Sequence, residues 1–314
     1  MKEKRKNFWL KMALIGLCTV AIMFGFSTVN VLAQDDKASY EEWKKKEAEK
    51  KLPPHRRPAP ASPTGNDHGS LAEAATNPLS NLIQFQLQNQ YNAQVYNADG
   101  PSNTFAIQPI VPFPLPFEEV PLLITRTTLP YISTTDLDGV GRQYGFGDTT
   151  ILGVFNGKFP KGNTAGLGWS LVIPTAGSDF FTGSGKWQLG PSFAYVNTMI
   201  PKTQLGIFGW QHWDIANGPN GSDKPYVDEL SIEPLVVYHF PKGWYVRLQD
   251  IPWKYDWRTS IWTLPTGPVV GKVLKLGKLP LNLFGAVYYD PVSPDTVSTP
   301  KWSFKFNVTL LFPE

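Results

Sequence analysis

The chain has 314 residues, with 29 Lys and Arg against 26 Asp and Glu, 13% aromatic residues, 29 prolines and one cysteine. A lone Cys18 excludes disulfide staples, and a mean hydropathy of −0.21 with no long apolar run after the amino terminus excludes a bundle of membrane-spanning helices. The first thirty-three residues carry five of the basic and one of the acidic residues, leaving 24 against 25 in the remainder, so nucleic acid is not an expected partner.

Residues 1–33 read as a secretory signal. Lys2, Lys4, Arg5, Lys6 and Lys11 precede the apolar run Met12 to Phe26, and Val31-Leu32-Ala33 supplies a cleavage site. The run is shorter than the roughly 20 apolar residues that a spanning helix needs. Residues 34–76 form a different kind of segment. Glu41 to Lys51 is densely charged and Pro53 to Pro63 is proline-rich, a composition that cannot pack a core and predicts a disordered periplasmic linker. A tether to a periplasmic partner is the alternative use of the same segment.

From Asn77 to Glu314 the chain becomes a series of strand-like runs broken by Gly, Pro, Asn and Asp. Twelve are expected, near 82–96, 103–114, 120–133, 146–159, 165–175, 186–198, 203–215, 227–240, 244–254, 260–276, 279–290 and 301–312. No intervening segment has a helical period, so successive strands pair as antiparallel hairpins. Connections alternate in length. Leu115 to Glu119, Pro160 to Thr164, Ile200 to Lys202, Pro241 to Gly243 and Gly277-Lys278 are short, whereas Thr134 to Gly145, Ala176 to Gly185, Ala216 to Tyr226 and Pro291 to Pro300 are long. Tight turns on one side and long loops on the other are the habit of an outer-membrane barrel, and an even strand count puts both termini on the periplasmic side.

The strands also alternate by face. Trp302, Phe304, Phe306, Val308, Leu310 and Phe312 share one side of the last run, opposite Ser303, Lys305, Asn307 and Thr309. In the first run Ile83, Phe85 and Leu87 alternate with Gln84, Gln86, Gln88 and Gln90. Aromatic residues near run ends, among them Tyr91, Phe113, Tyr131, Trp187, Trp213, Tyr238, Trp244, Trp253, Tyr289, Trp302 and Phe312, suit two interfacial girdles. The fold class expected is therefore all-β: a transmembrane up-and-down antiparallel β-barrel of about twelve strands at residues 77–314.

Short stretches spread along this region resemble the outer-membrane proteins grouped with the MetA pathway of phenol degradation. They are Asn77-Pro78-Leu79-Ser80-Asn81-Leu82, Gln108-Pro109-Ile110-Val111-Pro112, Leu123-Ile124-Thr125-Arg126-Thr127, Gly145-Phe146-Gly147-Asp148, Gly183-Ser184-Gly185-Lys186-Trp187, Gly190-Pro191, Tyr255-Asp256-Trp257 and the ending Val308-Thr309-Leu310-Leu311-Phe312. The resemblance implies an outer-membrane barrel of Gram-negative type with a transport role. It leaves residues 34–76 outside.

Face assignment predicts a polar lumen lined by Gln84, Gln86, Gln88 and Gln90, joined by Gln108, Arg126, Asp148, Gln188, Glu233, Arg247, Lys305 and Asn307. These residues would border a solute path, or brace a filled lumen by pairing opposite charges. Catalysis finds little support. His55 and His68 fall in the linker, and no serine stands in a nucleophile elbow. His212 precedes Trp213-Asp214, but neighbouring strand residues point to opposite faces, which argues against a His and Asp pair. His239 reads as part of a capped barrel end. Asp136 and Asp138 lie among turn residues, and Gly183-Ser184-Gly185-Lys186 lacks the spacing and helix of a phosphate loop. No metal and no cofactor are expected. Trp210, Trp213, Trp253 and Trp257 read as membrane-interface anchors rather than a stacking surface.

Two functions follow. The first is a non-enzymatic outer-membrane channel passing small solutes, aromatic or otherwise hydrophobic ones by analogy with the family. The second is a structural or adhesive barrel with a closed lumen and a periplasmic tether. Expected partners are outer-membrane lipid, the outer-membrane barrel assembly machinery and a periplasmic protein at 34–76.

Overall fold

The computed structural model describes residues 68–136, 141–159, 163–176, 181–218, 224–277, 279–292 and 297–313. The signal, residues 34–67 of the linker and Asp138 lie outside the described residues. The elements are α1 (His68–Thr76), β1 (Ile83–Val95), β2 (Ser102–Pro114), β3 (Leu122–Ser133), β4 (Tyr144–Phe146), β5 (Thr149–Lys158), β6 (Asn163–Ile173), β7 (Lys186–Asn197), β8 (Thr203–Asn217), β9 (Asp228–His239), β10 (Trp244–Arg247), β11 (Trp253–Asp256), β12 (Ile261–Thr263), β13 (Val269–Leu276), β14 (Leu279–Tyr289) and β15 (Pro300–Phe312).

All strands belong to one antiparallel sheet closed on itself. β1 pairs with β15 from Ile83 opposite Phe312 to Val95 opposite Pro300, and β10 bridges β9 and β13. β4 and β5 both pair with β3 and form one interrupted stave, as do β10 with β11 and β12 with β13. Counted so, the wall has twelve staves in sequence order, one for each predicted run. Among the described strands all but the short β4 and β12 are paired on both edges, as a hydrocarbon environment demands.

The outer face carries the apolar half of each alternation. Phe304, Phe306, Phe105, Leu129, Leu167, Val236, Val246 and Val270 are exposed along the wall, with Tyr131, Trp213, Tyr289 and Trp302 near the loop end and Phe113, Tyr195, Tyr238, Trp244 and Phe312 near the end where β1 begins and β15 finishes, called the terminal end below. A continuous exposed apolar band of this extent has no place in water and matches the bilayer core, with aromatic residues at both rims. Phe306 is 56% exposed in mid-strand. Phe306→Arg is expected to cost about 2–4 kcal/mol, the penalty of a basic residue near the bilayer midplane, measured as the loss in unfolding free energy in denaturant titrations of vesicle-embedded protein.

The interior is layered rather than uniformly polar. Toward the terminal end the inward side chains are Leu122, Ile124, Leu152, Val154, Val196, Leu235, Val237, Val273 and Leu311, all buried. α1 lies among them: Leu71, Ala72, Ala75, Leu79 and Leu82 join the same apolar cluster. Each leucine fully withdrawn from water contributes roughly 1.5–3 kcal/mol. Polar contacts fix the helix. Gln204 Nε2 donates to Glu73 O at 2.7 Å, Thr76 Oγ1 lies 2.9 Å from both Gln204 Oε1 and His239 Nε2, and Asn156 Nδ2 donates to Leu79 O at 2.9 Å. Residues 68–76, assigned to the linker by composition, are thus helical and lodged inside the barrel. His239, expected as an end cap, faces inward and holds α1.

Candidate functional site

Above α1 the lumen opens into a cavity of about 740 Å³ whose floor is Ala75, Thr76, Asn77 and Pro78. Of the twelve side chains predicted to line the lumen, eleven border this cavity; Asn307 points inward but is completely covered, its Nδ2 on Thr309 Oγ1 at 2.7 Å.

One wall is an amide ladder. Residues at period two on β1 stand on one face, so Gln86 Nε2 reaches Gln84 Oε1 at 3.0 Å and Gln88 Nε2 reaches Gln86 Oε1 at 2.6 Å. Gln90 turns the other way, donating to Asn92 Oδ1 at 3.0 Å. From β2, Gln108 Nε2 donates to Gln86 at 3.2 Å and accepts from Thr128 Oγ1 at 3.0 Å. A rigid row of amide groups results.

Asp148 does not project freely toward a solute. Its carboxylate accepts from Ser184 N at 2.6 Å, Ser184 Oγ at 2.7 Å and Ala176 N at 3.2 Å, and Gln188 Nε2 donates to Ser184 Oγ at 2.8 Å. These bonds fold the described residues 181–184 inward, so that Phe181 and Thr182 join the lining. The glycine and serine run that faintly suggested a phosphate loop is therefore an inward-turned loop pinned by an aspartate.

Facing the same cavity lies a chain of ion pairs. Arg126 on β3 approaches Glu233 on β9 at 3.6 Å, Glu233 pairs with Arg247 on β10, Arg247 meets Asp250 at 2.6 Å, and Asp250 meets Lys305 on β15 at 2.6 Å. Strands β3 and β9 stand five staves apart among twelve, so this chain crosses the barrel instead of following its wall. Arg126 also stacks over Phe208 and Trp210, with 4.8 and 5.1 Å from its guanidinium carbon to the ring centres. Trp210 is accordingly a lumen residue, correcting its reading as an interface anchor; Trp213 and Trp257 are exposed outside.

Asp250 was missed by face counting, for a structural reason. In β10, Tyr245 is opposite His239, but in β11, Trp253 is opposite Ile232, a slip of one residue along β9. Outward positions change from Trp244, Val246 and Leu248 to Trp253, Tyr255 and Trp257, and residues 249–252 leave the ladder. Continued alternation would have put Asp250 against lipid, where a carboxylate is costly. The slip turns it inward. Gln249, completely buried, donates from Nε2 to Ile251 O and to Pro265 O, the latter at 2.5 Å, tying this break to the neighbouring one between β12 and β13. Pro252, Pro265 and Pro268 sit in these breaks, where a missing amide hydrogen disturbs no ladder. The shift of aromatic residues from even to odd numbers was the legible signal.

His212 shares the inward face with Asp214 because the two are separated by one residue, so the opposite-face argument against a pair does not hold. They still form no pair: Asp214 accepts from Val227 N at 3.0 Å and lies 3.9 Å from Lys186, while His212 Nε2 is 2.5 Å from Ser170 Oγ. Gly190 is opposite Ser170 in β7, and a Cβ there would run into Gln211 O of β8 at 1.9 Å, so glycine permits the close approach of these strands. Ser170 is fully covered and does not border the cavity, so the contact braces three strands and offers no nucleophile to a solute.

No family model and no curated protein matches the chain. Among solved structures it is similar to an outer-membrane channel from Pseudomonas putida F1, at 14% identity over 74% of this chain and 96% of that one, with a TM-score of 0.56. A porin, KdgM in complex with disordered oligogalacturonate, follows at 10% identity, 74% and 99% coverage and a TM-score of 0.44, and outer membrane phospholipase A from Escherichia coli at 12%, 74%, 96% and 0.39. The first of these shares the fold. With its closed wall of twelve staves and its apolar outer belt, the chain is an outer-membrane β-barrel.

Proposed function

We propose that the barrel is a passive, cofactor-free conduit for small solutes, which enter among the loops, occupy the cavity above α1 and leave at the terminal end when the helix yields. The observation that carries this reading is the cavity itself: about 740 Å³, lined by the amide ladder and the ion-pair chain, and floored by Ala75 to Pro78 at the carboxyl end of α1. That volume is in the range of small-molecule sites, which combine an apolar lining with a few placed polar groups. Trp210 and Phe181 supply aromatic surface beside the ladder. The sequence resemblance to the phenol-degradation group supports aromatic or otherwise hydrophobic solutes as cargo, with the loops facing outward.

Swelling of vesicles containing the purified full chain is the test. Small neutral solutes and monoaromatic compounds are expected to enter faster than into protein-free vesicles, and faster again when α1 is loosened. A barrel impermeable in both forms overturns the conduit. The filling of the terminal half by α1 favours a second reading, the closed structural or adhesive barrel with residues 34–76 as a periplasmic tether. Deleting residues 34–67, which leaves α1 (His68–Thr76) in place, would then abolish the cellular phenotype while the barrel still assembled and remained impermeable. Under either reading, outer-membrane lipid surrounds the belt and the assembly machinery recognises the last strand ending at Phe312.

A further inference from the structure

The ion-pair chain contains three cations, Arg126, Arg247 and Lys305, and two anions, Glu233 and Asp250. Four of the five come from regular strand positions. Asp250 comes from the one-residue slip between β10 and β11, and its carboxylate touches two of the three cations. Asp250 pairs with Lys305, whose Nζ also donates to Asp250 O at 3.0 Å and sits 5.8 Å from the centre of the Phe284 ring. Arg247, by contrast, keeps Glu233 when Asp250 is removed. The whole cluster borders the same cavity as the amide ladder, with Lys305 opposite Gln90 at the ladder's loop-side end.

We propose that Asp250 is the charge-selectivity residue of the passage: by neutralising Lys305 it holds the crossing chain within one charge of balance and keeps the lumen from favouring anions. This rests on the conduit reading. Inside a narrow lumen charges interact far more strongly than in bulk water, and selectivity in pores is set by such rings and constrictions. Removing the carboxylate leaves an uncompensated ammonium facing the path and raises the chain from one net positive charge to two. Removing Lys305 lowers it to zero, and removing both returns it to one. A chain that merely braced the wall would give no such ordering.

The test is the chloride to potassium permeability ratio, from reversal potentials in planar bilayers under a salt gradient. It uses the full mature chain and the same chain with Leu71→Glu to loosen α1, each carrying Asp250→Asn, Lys305→Met or both. Asp250→Asn is expected to raise the ratio about fivefold, as an extra fixed charge in a confined path does. Lys305→Met should lower it below wild type, and the double variant should return close to wild type, as a coupled pair requires. Gel mobility before and after heating verifies assembly, and if Asp250→Asn does not assemble, the fall with Lys305→Met carries the test alone. Currents with an unchanged ratio in the assembled variants overturn the proposal. Absence of current in every form, including the α1-loosened one, overturns the conduit reading instead.

Discussion

Replacing Leu71 with glutamate should convert a nearly closed barrel into an open one, seen as a severalfold larger single-channel conductance and faster solute entry. Leu71 is completely buried in the apolar cluster that α1 shares with the inner wall. An isolated carboxylate there lacks a cationic partner on the surrounding valines and leucines, and burying even a neutral polar group without a hydrogen bond costs roughly 2–7 kcal/mol. The polar contacts of Thr76, Gln204 and Glu73 can offset only part of that, at about 0.5–1.5 kcal/mol for an ordinary hydrogen bond. The helix should therefore leave the lumen while β1 to β15 stay paired, because α1 contributes no strand to the wall. Unchanged conductance with an assembled barrel would show that α1 does not control passage.

Glu233→Ala should produce the largest loss of stability of any single change in the lumen. Glu233 sits between Arg126 and Arg247, with its side chain 11% exposed. Removing one member of a buried ionic group typically costs about 3–5 kcal/mol, because the remaining charge is left uncompensated, and here Arg126 loses its carboxylate while Arg247 keeps Asp250. The expected readout is a markedly lower urea midpoint for loss of the folded, heat-modifiable band. Adding Arg126→Ala should recover part of the loss, since it removes the stranded cation. A Glu233→Ala barrel as stable as the parent would mean that the pair carries no structural role.

The wall was legible in the sequence and its contents were not. Twelve runs, alternating connection lengths and period-two faces reappear as the twelve staves because β-geometry alone fixes which side chains point out, and lipid tolerates no exception on that side. Inside, alternation says only which residues face inward, not what they meet. α1 escaped because a nine-residue segment, His68 to Thr76, is too short to declare a helix by itself and is stabilised by Leu82, Val237 and Val273, which lie up to about two hundred positions away in sequence. Asp250 escaped because a single slip of register reverses every later face in its stave, as the change from Val246 to Trp253 records. The glutamines of β1 border the cavity, but their hydrogen bonds, which leave fewer amide groups free to meet a solute, extend to Gln108 and Thr128 on other strands.

The helix in the lumen is joined to β1 by only the six residues 77–82. It behaves as a ligand bound to its own receptor, at an effective concentration in the millimolar range that short linkers impose. Dilution cannot remove it, and protein concentration cannot alter how often it is seated. Opening is an internal equilibrium of each molecule, shifted by whatever binds the seated or the released form more tightly. Conductance traces of single barrels should then show open and closed dwell times that are the same in sparse and crowded membranes.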